Sequence, residues 1–393
     1  MSNNRALPTL CIHGGPDPDP AHGGLLPPIH QTTTFRYTGV GREQAFSYSR
    51  VGNPTVAILE ARLGELEGAP PAVTFGTGLG AVSTLCFALL KSGSRVVASE
   101  VLYGGTFRLL EEIFGPLGVT AEFVDTADPA AVARALDTPT DLLLLESPGN
   151  PTLRLTDLRA TCALARDRGV RTVVDNTFLT AYGQRPLDLG ADITLTSTTK
   201  YVDGHNATVG GAVCSRDEEL LERLRYVRKC LGTIQSPQNA WLTLQGLKTL
   251  PLRLTRQSES ALKLAEALKE HPHLIGVIHP FLDDFPQRDL ALRQQDCGGG
   301  LVIVTVAGGQ QRAAAVMAGL KLCTPAENLG SVETIATHPA TMTHGSVPPE
   351  VRQALGIDDG MIRISVGIED VGEIIDDITG ALQAAFAAEV HHA

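Results

Sequence analysis

Short apolar runs alternate with helical patterns from Ala72 to Gly211, and this alternation constrains the fold more than any other feature of the chain. The runs are AVTF, RVVAS, TAEFV, DLLLLE, RTVVD, DITL and GGAVC, and stretches such as LRATCALARDRG lie between several of them. Regular strand–helix alternation is typical of a mostly parallel sheet with helices on both faces. The sequence therefore predicts an α/β fold that is built on such a sheet.

The segments before and after this region have other patterns. Residues 1 to about 60 contain prolines and glycine pairs that disfavour long helices, and we expect an arm that packs against another subunit. The stretch TVAILEARLGELEG then predicts a helix that stops at Gly68. From about Leu252 the pattern indicates a long helix to Glu270, strands near 301–306 and 361–366, and a final helix. The expected parts are the arm at 1–60, an α/β domain at 61–250 and a smaller α+β domain at 251–393.

Charge and hydropathy exclude several classes of partner. Asp and Glu outnumber Lys and Arg by 43 to 32, which gives a net charge of −11 and argues against nucleic acid or an anionic membrane surface. No apolar run approaches the ~20 residues of a membrane helix, and the first thirty residues lack a secretory pattern. The seven dispersed cysteines suit reduced thiols. We expect a cytoplasmic protein that acts on small molecules.

Two neighbouring strands are predicted to end in groups that can react. The run RTVVD ends in Asp175, and the run DITL is followed by Ser197, Thr199 and Lys200. Ligands of parallel α/β sheets lie beyond the carboxyl ends of the strands, so Asp175 and Lys200 should reach one crevice. An amine and a carboxylate over one site are what pyridoxal phosphate (PLP) requires, for its aldehyde and its ring nitrogen. A surface lysine and a helix-capping aspartate remain the alternative on spacing alone.

A glycine-rich turn, GTGLGA at 76–81, follows the first apolar run and opens a helix. Free N–H groups and the positive end of the helix dipole would suit a phosphate there. The turn also fits the relaxed dinucleotide pattern G-x-G-x-x-A, with Glu100 about 20 residues further on. A nicotinamide-dependent oxidoreductase is therefore the rival from another enzyme class, although it gives Asp175 and Lys200 no task.

Two more residues are candidates for the same crevice. Tyr103 follows the next predicted strand and could stack on a planar cofactor, although a tyrosine at the edge of the core is equally consistent. Arg363 alternates with Ile362 and Ile364 in MIRISVG, where it could bind a substrate carboxylate in bidentate fashion or be a solvated edge charge. No HExxH motif or Cys/His quartet at zinc spacing is present, and we expect no metal.

Together these residues resemble the cysteine/methionine-metabolism family of PLP enzymes, the cystathionine γ-synthase and γ-lyase group of fold type I. The matching stretches are YSRVGNPT at 48–55, LYGGTFRL at 102–109, ESPGNP at 146–151, VDNTF at 174–178, STTKY at 197–201, GLKTL at 246–250, PATMTH at 339–344 and IRISVGIED at 362–370. They run through nearly the whole chain in the family's order. The resemblance implies a PLP-dependent transferase fold with a seven-stranded, mostly parallel sheet domain and a smaller C-terminal domain.

The resemblance also implies roles for single residues. Lys200 is similar to the Schiff-base lysine, Asp175 to the partner of the pyridine nitrogen and Tyr103 to the tyrosine that stacks on the ring. Contacts to the cofactor phosphate from the same subunit are implied for Gly78, Leu79, Ser197 and Thr199. Contacts from a neighbouring subunit are implied for Tyr48 and Arg50, which would make the protein an obligate dimer and, as is usual in the family, a homotetramer. Asn150 and Arg363 resemble the groups that orient the substrate carboxylate.

The activity expected from this resemblance is γ-elimination on L-cystathionine. Arg108 and Glu327 resemble residues of cystathionine-handling members, since a cation and an anion suit the distal zwitterion of that substrate. Gly105 stands where methionine γ-lyases typically carry a cysteine, and Ser47 and Val51 stand where bacterial synthases place an acid and an arginine. Cystathionine γ-synthase, then O-acetylhomoserine sulfhydrylase and methionine γ-lyase, remain the alternatives.

Two departures from the family pattern leave specificity open. Asn328 replaces the usual serine after Glu327, and His205-Asn206-Ala207-Thr208 replaces the common GHSD run. A catalytically inactive relative that keeps the fold for binding would more readily have lost Lys200 or Asp175, and both are present.

Overall fold

The computed structural model describes residues 5–42, 44–345, 347 and 349–387, and within them the strands form two sheets. The larger sheet is made by the strands β1 (Val73–Phe75), β2 (Arg95–Ser99), β3 (Thr120–Val124), β4 (Leu142–Glu146), β5 (Arg171–Asp175), β6 (Ile193–Thr196) and β7 (Gly211–Ser215). The smaller sheet is made by β8 (Leu274–Ile278), β9 (Leu301–Val306), β10 (Thr324–Pro325), β11 (Ile335–Thr337) and β12 (Met361–Ser365).

The larger sheet has the order β1-β7-β6-β5-β4-β2-β3. Strands β2 to β6 pair in parallel, while β7 runs antiparallel to both β6 and β1. Each of its strands coincides with one of the apolar runs between Ala72 and Gly211, so the prediction of a mostly parallel seven-stranded sheet is confirmed. Strand β4 shows why the pattern was readable: Leu142 to Leu145 are each at most 5% exposed, as expected for a strand that is covered on both faces.

Helices connect and cover the strands. The α-helices of the described residues are α1 (Leu7–His13), α2 (Pro54–Leu66), α3 (Gly78–Leu89), α4 (Gly104–Arg108), α5 (Pro129–Ala135), α6 (Leu158–Asp167), α7 (Thr180–Gly183), α8 (Glu218–Leu231), α9 (Pro237–Lys248), α10 (Leu250–Leu268), α11 (Arg288–Gln294), α12 (Gly309–Gly319), α13 (Pro349–Ala354) and α14 (Val371–Ala387). A π-helical segment at Leu109–Phe114 and 3₁₀ turns at Gly115–Leu117 and Pro186–Leu189 complete them.

The predicted helix before Gly68 is confirmed as α2, where Asn53 accepts a hydrogen bond from the Thr55 N–H at 3.0 Å and Pro54 occupies the first turn. The short helix α1 was absent from the prediction.

Two apolar cores cover the faces of the larger sheet. On one face, Val96, Leu144 and Ile193 pack with residues of α3 and α8. On the other face, Val97 and Leu143 pack with residues of α5 and α6. Fully burying one such side chain contributes roughly 1.5–3 kcal/mol. Because side chains of a strand alternate between the faces, the central strands supply both cores: in β5, for example, Val173 belongs to the first core and Val174 to the second.

The smaller sheet has the order β10-β11-β12-β9-β8, with α10, α12 and α14 packed on one face. Its strand β12 is central, between β11 and β9. The predicted strands near 301–306 and 361–366 are therefore confirmed as β9 and β12, and the long and final helices as α10 and α14. The predicted division at residues 60 and 250 stays a prediction.

Two features of the described residues bear on the expected partners. No helix among the described residues is long and apolar enough to cross a membrane. No group of three or more His, Cys, Asp or Glu side chains that could hold a metal ion occurs in that same part of the chain. The cytoplasmic location stays a prediction.

Candidate active site

A cavity of about 420 Å³ opens beyond the carboxyl ends of the strands of the larger sheet. Eleven of the thirteen predicted site residues line it, namely Gly78, Leu79, Tyr103, Arg108, Asn150, Asp175, Ser197, Thr199, Lys200, Glu327 and Arg363. Residues 78 to 200 come from loops that follow the strands of the larger sheet. Glu327 and Arg363 come from the region of the smaller sheet, so the cavity lies between the two sheets. What each residue does in the cavity stays a proposal.

Lys200 lies in the turn after β6 and is half-buried. Its Nζ donates a hydrogen bond to Asn328 Oδ1 at 2.6 Å. Burial, and then the nearby positive charge of Arg363, lower the pKa of Lys200 to about 8, while the Glu327 carboxylate opposes the shift. A substantial fraction of this amine is therefore neutral near neutral pH, as an amine nucleophile or base must be.

Asp175 ends β5, next to β6, and shares the cavity with Lys200, as predicted. Its Oδ1 accepts hydrogen bonds from the Thr177 N–H at 3.0 Å and from Thr177 Oγ1 at 2.5 Å. Thr177 Oγ1 also accepts from the Ser197 N–H at 2.9 Å, which ties the loop after β5 to the loop after β6. Burial raises the pKa of Asp175, and Thr177 partly offsets the rise. No Lys, Arg or His of the described residues forms an ion pair with this carboxylate.

The N-terminus of α3 lies on the same wall of the cavity. Thr77 caps the helix by accepting from the Gly80 N–H at 2.8 Å. A Cβ on Gly78 would lie 2.9 Å from Ser197 Cβ, so only glycine allows this helix end to approach the loop after β6. The first N–H groups of a helix have no partner within the helix, and here they lie beside the hydroxyls of Ser197 and Thr199. Such a set of donors suits a phosphate.

Tyr103 lies in the loop after β2, with its side chain 41% exposed at the cavity. Its ring packs close to Gly105, since a Cβ at position 105 would lie 2.5 Å from Tyr103 Cε1. Any side chain at Gly105 would therefore push this ring from its present place. The exposure of the ring at the cavity favours a place for Tyr103 in the site over the alternative of a core-edge tyrosine.

Glu146 is a residue of this cavity that the sequence analysis did not single out. It ends β4, lies in register with Asp175 on β5, and accepts a hydrogen bond from the Tyr103 N–H at 2.8 Å. Burial, and then the neighbouring Asp175, raise the pKa of Glu146 well above its usual range. The rule that pointed to Asp175, a carboxylate at the end of an apolar run, applies equally to DLLLLE and could have found it.

Arg363 is 2% exposed in the central strand β12, which excludes a solvated edge charge. Its Nη1 donates to Asn150 Oδ1 at 2.9 Å, and its Nη2 donates to the Asn328 carbonyl at 3.3 Å and to Thr337 Oγ1 at 3.4 Å. Its Nε is buried without a hydrogen-bond partner among the described residues. A guanidinium with this unused donor at a cavity wall is suited to bind a carboxylate.

Arg108 and Glu327 also line the cavity, and they lie at its more exposed side. Arg108 is half-buried at the end of α4, and Glu327 is exposed after β10. A Cβ on Gly104 would lie 3.5 Å from Arg108 Nη1 and 3.1 Å from the Thr343 carbonyl, so this part of the wall is closely packed.

Tyr48 and Arg50 do not line the cavity of their own chain within the described residues. The Arg50 guanidinium lies over the Tyr48 ring, 5.5 Å from its centroid, and Arg50 Nη1 donates to the Lys229 carbonyl at 2.7 Å. Both lie outside the cavity in the arm, and their predicted contact with a neighbouring subunit remains a proposal.

The structure argues against the dinucleotide alternative. Glu100, which would bind a ribose in that interpretation, forms an ion pair with Arg154 at 3.2 Å, and Arg154 also pairs with Asp125. Glu100 does not line the cavity that contains Asp175 and Lys200.

The residues of the cavity fit PLP. The donors at the start of α3, with Ser197 and Thr199, suit the phosphate. The Asp175 carboxylate lacks a cationic partner in the described chain, and a protonated ring nitrogen would supply one. The Lys200 amine suits the aldehyde, and the exposed ring of Tyr103 suits the face of a planar cofactor.

Comparisons with known proteins agree with this fit. The family model described as Cys/Met metabolism PLP-dependent enzyme matches residues 8–383. The chain is 41% identical over 375 residues to the cystathionine gamma-lyase of Bacillus subtilis (strain 168), covering 95% of this chain and 98% of that protein. It is also 41% identical over 375 residues to the cystathionine gamma-synthase of Mycobacterium bovis, covering 95% and 96%. The solved cystathionine gamma synthase from Xanthomonas oryzae pv. oryzae, in complex with aminoacrylate and cysteine, has a TM-score of 0.95 at 40% identity, covering 98% and 99% of the two chains.

Proposed function

Because the chain belongs to the Cys/Met metabolism family of PLP-dependent enzymes, we propose that it catalyses γ-elimination on L-cystathionine. One water is consumed, and cysteine, 2-oxobutanoate and ammonia are released. Relatives of equal identity are named as a γ-lyase and a γ-synthase, so the choice of elimination over replacement is the content of the proposal. Arg108 and Glu327, on the wall of the cavity that contains Lys200, support cystathionine as the ligand. Ser47 and Val51, which stand where bacterial synthases place an acid and an arginine, favour elimination over replacement.

Each end of cystathionine is an amino-acid zwitterion, and charged groups are available for both ends. Arg363 and Asn150, which are hydrogen-bonded to each other, bind the carboxylate next to the reacting α-carbon. Arg108 binds the distal carboxylate, and Glu327 binds the distal ammonium group. A shorter substrate without the distal zwitterion would offer no carboxylate for Arg108 and no ammonium group for Glu327 to bind.

The reaction needs negative charge to be stabilised on carbon next to the amino group. Bound PLP supplies an electron sink for that charge. Asp175 keeps the ring nitrogen protonated, because a carboxylate beside the nitrogen favours its charged form. The donors of α3, Ser197 and Thr199 would bind the phosphate, and Tyr103 would pack against the ring.

Lys200 moves the protons in this proposal. Its neutral amine removes the proton from the substrate α-carbon and then takes part in proton transfer at the β-carbon. A pKa of about 8 leaves enough neutral amine for this task at neutral pH. Tyr103 lies on the same cavity and assists when the sulfur leaves the γ-carbon, so that cysteine departs as a thiol.

Two observations bear on the alternatives within the family. Gly105 stands where methionine γ-lyases typically carry a cysteine, and the Tyr103 ring packs against this glycine, which argues against that activity. The γ-synthase remains the second candidate, because a γ-synthase is as similar to this chain as a γ-lyase is.

The complete site also requires a second subunit in this proposal. Tyr48 and Arg50 lie in the arm outside the cavity of their own chain, and they would reach the cavity of a partner. The proposed assembly is therefore an obligate dimer with shared sites, and a homotetramer as a pair of such dimers.

Product analysis tests the proposal directly. Purified protein loaded with PLP is incubated with L-cystathionine alone, and cysteine, 2-oxobutanoate and ammonia are the expected products. Homocysteine with pyruvate would show that the bond breaks on the other side of the sulfur. No turnover, together with cystathionine formation from an O-acyl-homoserine and cysteine, would replace γ-elimination by the γ-synthase reaction.

A further inference from the structure

The two departures from the family pattern, at Asn328 and Asn206, contact each other. Asn328 Nδ2 donates a short hydrogen bond to Asn206 Oδ1, although the two residues are 122 positions apart in the chain. Asn328 Oδ1 accepts from Lys200 Nζ at 2.6 Å, and Asn206 Nδ2 donates to Glu333 Oε2 at 2.9 Å. A continuous chain of hydrogen bonds thus runs from Lys200 through both asparagines to Glu333; we call it the amide relay.

The chemistry of its two ends fixes the direction of the amide relay. A lysine ammonium has only donors, and an ionised carboxylate has only acceptors. Glu333 therefore requires the amide nitrogen of Asn206, which leaves the Asn206 oxygen for the nitrogen of Asn328. The oxygen of Asn328 is then the atom that faces Lys200. Rotation of either amide by 180° would place two donors or two acceptors against each other at both of its contacts.

The backbone that carries Asn206 is held in an uncommon conformation. Asn206 has φ +54°, in the left-handed region that asparagine tolerates better than most residues. Asp203, which is 1% exposed, stabilises this turn by accepting from the N–H groups of His205 at 3.2 Å and Ala207 at 3.0 Å. The Val332 N–H donates to the Gly204 carbonyl at 2.9 Å, which places the segment that carries Glu333 against the turn. These contacts hold the backbone from which the Asn206 side chain extends towards Asn328 and Glu333.

We propose that Asn206 is a positioning residue for Lys200, which it orients through Asn328 with Glu333 as the fixed end of the amide relay. This inference rests on the proposed role of Lys200 as the reacting amine. A lysine side chain has several rotatable bonds, and an acceptor in a fixed place selects one direction for the amine. The amide relay therefore acts whenever the amine carries no covalent partner, which is when it must accept a proton from substrate.

Two charged side chains outside the amide relay also affect the pKa of the Lys200 amine. Arg363 from β12 lowers the pKa of Lys200, and Glu327, next to Asn328, raises it. Neither group belongs to the amide relay. A change at Asn206 leaves both charges in place, so its effect on the amine must pass through Asn328.

The decisive variant is Asn206→Gly, because glycine keeps the left-handed turn and removes the amide. Without Asn206, Asn328 can rotate and present its NH₂ group to Lys200, which disfavours the ammonium form. The pKa of the Lys200 amine is measured in the cofactor-free protein by NMR after reductive ¹³C-methylation, with the signal assigned from Lys200→Arg. We expect the pKa of the Lys200 amine to fall by about half a unit or more.

In the PLP-loaded enzyme, kcat should fall about three- to tenfold with little change in KM, since the groups proposed to bind the substrate are unchanged.

Three further variants make the test specific. Ala207→Gly loosens the same turn without touching the amide relay and should leave the pKa and kcat of the parent unchanged. Glu333→Gln keeps an acceptor oxygen and should retain most of the effect of Glu333, whereas Glu333→Ala should resemble Asn206→Gly. In an Asn328→Ala background, Asn206→Gly should add nothing, since the two residues act in series.

Each alternative result would overturn the inference. An unchanged pKa in Asn206→Gly, an equal shift in Ala207→Gly, or an undiminished effect of Asn206→Gly in the Asn328→Ala background would each exclude action through Asn328. The NMR readout does not depend on which substrate is used, so failure of cystathionine turnover would count against the proposed function and not against the amide relay.

Discussion

Glu146 and Asp175 are side by side at the ends of the parallel strands β4 and β5, because the two residues are partners in register. When two buried carboxyl groups are neighbours in this way, the ionisation of one disfavours the ionisation of the other. Burial, and then Asp175, raise the pKa of Glu146 well above its usual range, while burial raises the pKa of Asp175 against two opposing hydrogen bonds from Thr177. This difference is consistent with the proposal that Glu146 keeps a proton while Asp175 is the carboxylate that binds the ring nitrogen of the cofactor.

The first prediction concerns this division of charge. Glu146→Gln keeps a neutral acceptor for the Tyr103 N–H, and kcat/KM should stay within about threefold of the parent. Glu146→Ala leaves that N–H without its partner and should lower the free energy of unfolding by about 1–3 kcal/mol. Steady-state kinetics and denaturant unfolding measure the two effects. A large kinetic loss in Glu146→Gln would mean that Glu146 works as an anion.

The second prediction concerns Glu327, whose negative charge raises the pKa of Lys200. Glu327→Gln removes that charge, so the pKa of Lys200 falls and the neutral amine appears at lower pH. The acid limb of the pH profile of kcat should therefore move to lower pH. KM for L-cystathionine should rise about two- to fivefold, as expected for one exposed charge contact.

A matched substrate separates these two effects. O-Acetylhomoserine lacks the distal ammonium group, so its KM should not respond to Glu327→Gln, while the shift of the acid limb should persist. Equal changes of KM for both substrates would contradict a contact between Glu327 and the distal end of cystathionine.

The third prediction tests whether a neighbouring subunit completes the site. Arg50→Ala and Lys200→Ala should each be inactive alone. After unfolding, mixing in equal amounts and refolding, mixed dimers contain one site with both changes and one intact site, so about a quarter of the parent activity should return. Mixing each variant with itself is the control. Absence of recovery, with mixed dimers verified by two different tags, would show that Arg50 serves its own subunit.

The fourth prediction concerns stability against pH through Glu67, which lies 4% exposed with an unpartnered Oε2 among the described residues. Burial raises the pKa of Glu67 from 4.5 to about 8, with smaller opposing effects of Arg185 and Arg216. Between these values the folded chain keeps a proton that the unfolded chain releases, so this group's contribution to stability falls as pH rises. The loss is at most about 1.4 kcal/mol per pH unit.

Thermal unfolding of the parent and Glu67→Gln between pH 5 and 8 measures this contribution. Gln cannot ionise, so Tm of the parent should fall relative to that of the variant at each step upward in pH. Parallel curves would mean that the Glu67 carboxyl titrates alike in the folded and unfolded chains. The comparison of slopes cancels the titration of all other groups.

The sheet that carries the site was readable from the sequence for a physical reason. Strands that are buried on both faces must be apolar throughout, and each such run in the α/β region became a strand of the larger sheet. Strands β8, β10 and β11 were missed. They lie at or next to the edges of the smaller sheet, and β10 has two residues, both exposed, so no apolar run marks it.

The sequence predicted the place of a site residue where that residue lies at the end of a strand. Asp175 and Lys200 could be placed together because strand ends of a parallel sheet meet at one edge. The contact between Asn206 and Asn328 could not be foreseen, since it joins two loops that are 122 positions apart and no periodicity relates them. Tyr48 and Arg50 pose a different limit, because one chain does not contain the site to which they are assigned.

The hydrogen bond between Arg363 and Asn150 spans 213 positions, and this separation sets the order in which the site can be assembled during synthesis. The chain leaves the ribosome from its N-terminus, and the last strand of the larger sheet ends at Ser215. Arg363 is added only after the whole of the larger sheet has been made. A nascent chain can thus display the ends of the strands of the larger sheet before the Arg363 guanidinium is available on the other side of the cavity. Truncated chains that end before Arg363 would contain the residues that are proposed to bind the cofactor. They would lack the Arg363 guanidinium that is proposed to bind the substrate carboxylate.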